Sequence, residues 1–90
     1  VVSRNNQGIE FEKSGNIDEA IKCYEQNIVE GQYITRHPYD RLMVLYRRLG
    51  NYDDEIRVIR SAMTIYRNDS KYIDKLNIRL QKAQILKGKV

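Results

Sequence analysis

The residue types best suited to catalysis or metal binding are scarce in this chain. His37 and Cys23 are its only histidine and only cysteine, and their separation of 14 positions matches no metal-ligand spacing. Asp18 and Glu19, like the acids at 53–55, stand where helices are expected to begin, and there they favour the positive end of the helix dipole. No nucleophile is paired with a base, and no glycine-rich loop could hold a phosphate. The sequence therefore predicts no enzyme, no metal site and no cofactor.

Positive charge is the second chemical feature. The 90 residues contain 16 Lys and Arg against 12 Asp and Glu, a net charge of +4, which weakly favours an anionic partner. A single cysteine cannot form an internal disulfide, so a cytoplasmic location is expected. No apolar run approaches the roughly 18 residues of a membrane span. The start at Val1 rather than methionine indicates a fragment of a longer chain.

The elements that position these side chains are predicted to be helices. A seven-residue segment that begins Gly15-Asn16 returns at Gly50-Asn51, and each copy is typical of a helix end, a tight turn and a new helix start. Apolar residues recur at spacings of three and four, and no segment alternates as a strand would. The pattern predicts an all-α fold of five helices, at about 2–14, 17–30, 38–49, 52–67 and 71–87.

This pattern resembles the tetratricopeptide repeat, a 34-residue helical hairpin with small and aromatic residues at fixed places. The first copy matches at Gly8, Phe11, Gly15, Ala20 and Tyr24, and the second at Leu42, Tyr46, Gly50, Tyr52 and Ala62. The resemblance implies one α-solenoid domain over 1–90, with repeats at about 2–31 and 36–68 and a capping helix at about 70–87.

The register of that family also predicts the core. The residues expected to be buried are Phe11, Tyr24, Leu42, Tyr46, Ile59, Leu76 and Leu80. The second copy departs from the family at Met43 and Glu55, which replace small residues where helices cross closely. We therefore expect the second hairpin to be splayed wider than the first. Asn27 stands in a normally apolar interface and should be hydrogen-bonded if it is buried.

In this family the first helix of each hairpin lines a concave face that binds extended peptides. The residues that the resemblance places there are Asn5, Ile9, Lys13, Arg41, Val44, Arg47, Arg48, Lys71, Lys75, Ile78 and Lys82. Ile9, Val44 and Ile78 would form an apolar line among the cations. Lys71 and Lys75 also fall on two of the five positions of the family's carboxylate clamp. The expected function is therefore a protein interaction module that binds an extended, partly acidic peptide or a neighbouring domain.

Two other functions stay open at this point. Arg47-Arg48 and the lysines would also suit a nucleic-acid-binding accessory domain, although exposed aromatic residues for base stacking are not predicted. A homo-oligomerisation module is the other alternative, because Tyr72, Ile78 and Ile85 lie off the predicted core stripe of the fifth helix. Sedimentation at several concentrations would separate that alternative from peptide binding.

Overall fold

The computed structural model describes residues 2–31 and 35–89, and for residues 2–5 it describes the backbone alone. Within those ranges the chain forms five helices and no strand, which confirms the all-α prediction: α1 (Val2–Lys13), α2 (Ile17–Glu30), α3 (Arg36–Arg48), α4 (Tyr52–Ile65) and α5 (Ser70–Gly88). None of these helices combines the length and the apolar character needed to cross a membrane. The predicted helix bounds agree with the observed ones to within about two residues.

The chain divides into two compact units, Val1–Leu45 and Tyr46–Val90, which we call unit 1 and unit 2 and describe separately. Unit 1 contains α1, α2 and most of α3, and unit 2 contains the last residues of α3 with α4 and α5. The solenoid arrangement over 1–90 and the wider second hairpin stay predictions.

The repeated Gly-Asn segment forms the same turn twice. Gly15 and Gly50 have φ angles of +81° and +72°, a left-handed conformation that side chains with a Cβ rarely adopt. The amide of Asn16 donates to Phe11 O, and that of Asn51 donates to Tyr46 O, both at 2.8 Å. Each glycine amide also donates to the backbone oxygen three residues earlier, and together the two hydrogen bonds of each turn form a Schellman motif. Each motif ends one helix and starts the next.

The two asparagines that follow these glycines act differently as helix caps. The Asn51 side chain accepts a hydrogen bond from the amide of Asp54 at 3.3 Å, as predicted for a helix N-cap. The Asn16 side chain makes no such bond, and its amide donates instead to Ser14 Oγ at 3.0 Å. The expectation of a side-chain cap is therefore confirmed in the second copy and wrong in the first.

The core of unit 1 is built on a close approach of α1 to α2. Ala20 and Tyr24 are completely buried, and a Cβ added at Gly8 would lie 2.6 Å from the Tyr24 ring. The absence of a side chain at Gly8 is therefore what lets this ring pack there. Leu42 is buried as predicted, whereas Phe11 is only half-buried. The other buried residues of this unit include Asn27, Tyr39, Met43 and Leu45.

The core of unit 2 joins α4 to α5. Tyr46, Ile59 and Leu76 are buried as predicted, but Leu80 is only half-buried. Tyr72 was expected off the core stripe, and that expectation is wrong, because the residue is buried. Its ring packs edge to face on the Tyr66 ring, with the ring centroids 5.3 Å apart. Asp69 fixes the start of α5, since its Oδ1 accepts from the amide of Tyr72 at 3.2 Å.

Candidate functional site

One exposed face of α5, in unit 2, carries both positive charge and apolar side chains. Its members follow one another at spacings of four, three, four and three residues, which keeps them on one side of a helix. Ile78 and Ile85 are 70% and 54% exposed, and the three cations between and before them are exposed as well. We call this surface the α5 stripe, and it consists of Lys71, Lys75, Ile78, Lys82 and Ile85.

The cations of the α5 stripe are not used inside the fold. Among the residues that the structure describes, no carboxylate lies within 4.0 Å of the ammonium groups of Lys71, Lys75 or Lys82. The buried side of the same helix carries Tyr72 and Leu76 instead, so packing on α4 leaves the stripe in solvent. Its positive charge is therefore available to an outside anion.

Arg48 and Arg47 are neighbours in sequence but have different surroundings. Arg48 is exposed, and within the described ranges it makes no ion pair. Arg47 binds the carboxylate of Glu55, which is completely buried, with Arg47 Nη2 lying 2.8 Å from Glu55 Oε2. Arg79 contacts the same oxygen at 3.1 Å, and Arg47 also donates to the backbone oxygen of Arg79 at 3.1 Å. Of the two arginines, only Arg48 is open to a partner.

The cluster of Glu55, Arg47 and Arg79 was not predicted from the sequence. Arg79 lies 24 residues after Glu55, and its role depends on how α5 packs on α4. The signal that was present is the acid itself, because a carboxylate at a close helix crossing must be matched by cations to be tolerated there.

A second carboxylate, that of the half-buried Glu12, lies in unit 1 and pairs with Arg41. Arg41 Nε donates to Glu12 Oε2 at 3.1 Å, and the Tyr24 hydroxyl donates to the same oxygen at 2.7 Å. Burial alone would raise the pKa of Glu12, but the hydrogen bonds from Arg41 and Tyr24 outweigh it and lower the pKa. Burial and the bond to Glu12 raise the pKa of the Tyr24 hydroxyl. Arg41 therefore serves the packing of this unit.

The remaining predicted site residues have varied surroundings in unit 1. Lys13 is exposed and pairs with Glu10 at 3.6 Å, an ordinary surface contact. Ile9 and Val44 are half-buried. The Asn5 side chain lies outside the described part of the chain. The apolar line of Ile9, Val44 and Ile78 runs over both units and stays a prediction.

His37 and Cys23, the residues first considered for chemistry, both lie in unit 1. The His37 ring packs edge to face on Tyr24 with centroids 5.5 Å apart, and Cys23 is a half-buried free thiol. Over residues 2–31 and 35–89, no three His, Cys, Asp or Glu side chains are grouped so that they could hold a metal ion.

Comparison with known proteins gives no further guide: no family model, curated protein or solved structure matches the chain. The likeness to the tetratricopeptide repeat therefore depends on the residues named above.

Proposed function

We propose that this chain is a protein interaction module whose α5 stripe, with Arg48, binds a partly acidic segment of another protein. The observation that carries this proposal is that three unmatched lysines and two exposed isoleucines share one helix face. Lys71 and Lys75 stand four residues apart on α5, a like-charge spacing that destabilises a helix by about 0.2–0.5 kcal/mol. Folding does not require this arrangement, whereas recognition of carboxylates beside apolar anchors does.

Two further features support the same class of function. The paired Schellman turns at Gly15 and Gly50 agree with the tetratricopeptide-like array that the sequence resembles, and such arrays commonly bind peptides. A nucleic-acid partner is less favoured, because none of the described tyrosines is exposed for base stacking and Arg47 is held by Glu55. A cytoplasmic location, with the free thiol of Cys23, completes the proposal.

The test is a pair of charge reversals on the proposed surface. A random peptide library is selected against the wild-type chain, and the tightest peptide is titrated into the wild type and into Arg48→Glu with Lys75→Glu. The double variant should bind at least tenfold more weakly, about 1.4 kcal/mol. The loss should shrink at high salt because exposed ion pairs are screened. The thermal midpoint should change little, since exposed charges contribute little to stability.

The control variant is Lys22→Glu with Arg60→Glu, which changes the net charge equally at exposed positions outside α5. It should bind the selected peptide within about threefold of the wild type, because only long-range electrostatics change. Equal losses in both variants, or a selection that returns basic peptides, would contradict the proposed surface.

A further inference from the structure

We infer that the segment bound by the α5 stripe is itself an α-helix, lying along α5 with acidic and apolar side chains at alternating spacings of four and three. This inference rests on the proposed function and specifies the conformation and chemistry of the partner. The resemblance to peptide-binding repeats implies an extended partner instead. The spacing of the α5 stripe distinguishes the two.

The positions of the stripe along the helix axis follow from its residue numbers. With a rise of about 1.5 Å per residue, Lys75, Ile78, Lys82 and Ile85 lie about 6, 10.5, 16.5 and 21 Å beyond Lys71. The five side chains, in the order Lys, Lys, Ile, Lys, Ile, are therefore separated by steps that alternate between about 6 and 4.5 Å along the face.

An extended peptide cannot follow these steps. Its side chains on one face recur about every 6.7 Å, so they lie near 6.7, 13 and 20 Å from the first. Two of these distances fit Lys75 and Ile85. Ile78 and Lys82, however, would each lie roughly 3 Å along the helix axis from the nearest side chain of the peptide. A helix carries the same alternating spacing as α5 and meets all five positions, as in the seam of a coiled coil.

The charge of the stripe decides what kind of helix fits. A second copy of this chain would bring three more lysines to the seam, and the stripe itself contains no carboxylate. Asp74 is exposed at its edge, so two copies would bring two acids against six cations. Like charges facing each other are destabilising, so the occupant is a different, acidic helix with two apolar anchors.

The inference is tested with synthetic helices against the full chain. The probe is a labelled peptide of about 20 residues, of alanine and glutamine, carrying Glu, Glu, Leu, Glu and Leu at spacings of four, three, four and three. A second probe has the reverse order, because the partner can run in either direction along α5. The comparison peptide has the same composition with those five residues at every second position. Binding is followed by fluorescence anisotropy at low salt, and helix content by circular dichroism.

One of the two helical probes should bind at least tenfold more tightly than the comparison peptide, and that probe should gain helix content on binding. Proline at its centre should remove that advantage. Ile78→Gln should weaken binding of the helical probe at least fivefold, whereas Asn77→Gln, an exposed neighbour off the stripe, should not.

The other outcomes are equally decisive. If the comparison peptide binds as tightly as the helical probes and Ile78→Gln weakens its binding, the partner is extended. Only the inference about the helix is then overturned. If no acidic peptide binds and charge reversal at Arg48 and Lys75 changes nothing, the proposed function itself is refuted. If sedimentation shows dimers that Ile78→Gln dissociates, the occupant is a second copy and the inference is overturned.

Discussion

Replacing Glu55 by glutamine tests the account of unit 2 most directly. The substitution preserves size but removes the charge that Arg47 and Arg79 share, and it puts an amide NH₂ group, a donor, in place of one oxygen that accepts from an arginine. Breaking a buried ion pair by removing one partner costs about 3–5 kcal/mol. Glu55 is completely buried, but the Arg47 and Arg79 side chains are 28% and 30% exposed, so water can partly replace the lost partner. We therefore expect a cost at or below the lower end of that range, about 2–3 kcal/mol.

That loss is large for a chain of this size. Domains of about 90 residues are stable by roughly 5–13 kcal/mol, so Glu55→Gln should lower the urea midpoint clearly. The assay is urea unfolding at neutral pH followed by circular dichroism. Asp53→Asn is the matched control, because Asp53 also pairs with a cation, Lys87, but both side chains are exposed. Its cost should stay below about 1 kcal/mol.

Two results would refute the reasoning. A loss below about 1 kcal/mol in Glu55→Gln would mean that the two arginines need no buried anion. A loss equal to that of Asp53→Asn would mean that burial does not set the cost. A variant with leucine at Glu55, Arg47 and Arg79 is a second test of the same reasoning, by the same urea unfolding. Because apolar residues can replace a buried ionic cluster at little cost, the triple variant should be more stable than Glu55→Gln.

Unit 1 supplies the two remaining predictions. Gly8→Ala should destabilise the chain by about 1–3 kcal/mol in urea unfolding, because the new Cβ meets a buried tyrosine ring at 2.6 Å, whereas Gly88→Ala, with nothing within 4 Å, should not. The pKa of Glu12 is lowered in the folded chain, so its stabilisation is present above its unfolded value of 4.5 and is lost as the pH falls through the folded value. The difference in unfolding free energy between wild type and Glu12→Gln should therefore shrink from about pH 7 to about pH 3; an unchanged difference would contradict the assigned pKa shift.

The helices and turns were predictable because their signals are local. Glycine followed by asparagine, at positions 15 and 50, marks a turn without knowledge of the rest of the chain. Residues at helical spacing likewise predict one apolar face, but not how deeply each member lies. Phe11 and Leu80 belong to the predicted apolar set and are only half-buried, since their depth depends on which helix covers them.

The candidate site was less predictable because it depends on which cations the fold itself uses. Arg41 and Glu12 are 29 residues apart, and nothing in either segment alone reveals that they pair. Arg47 and Lys75 were predicted on equal grounds, yet one binds a buried carboxylate and the other lies in solvent. Only tertiary packing separates a structural cation from an available one.

The buried carboxylate of Glu55 has a consequence for binding as well as for stability. It pairs with Arg47, whereas the neighbouring Arg48 is exposed. Of the predicted site cations in unit 2, those left to a partner are then Arg48 and the three lysines of the α5 stripe, and lysine offers a flexible point charge rather than the planar fork of arginine. Such a surface suits several carboxylates spread along a helix better than one carboxylate bound by two parallel hydrogen bonds. Glu55 thus accounts for the ion cluster inside unit 2, and the proposed partner would meet Arg48 and the lysines of the α5 stripe rather than Arg47.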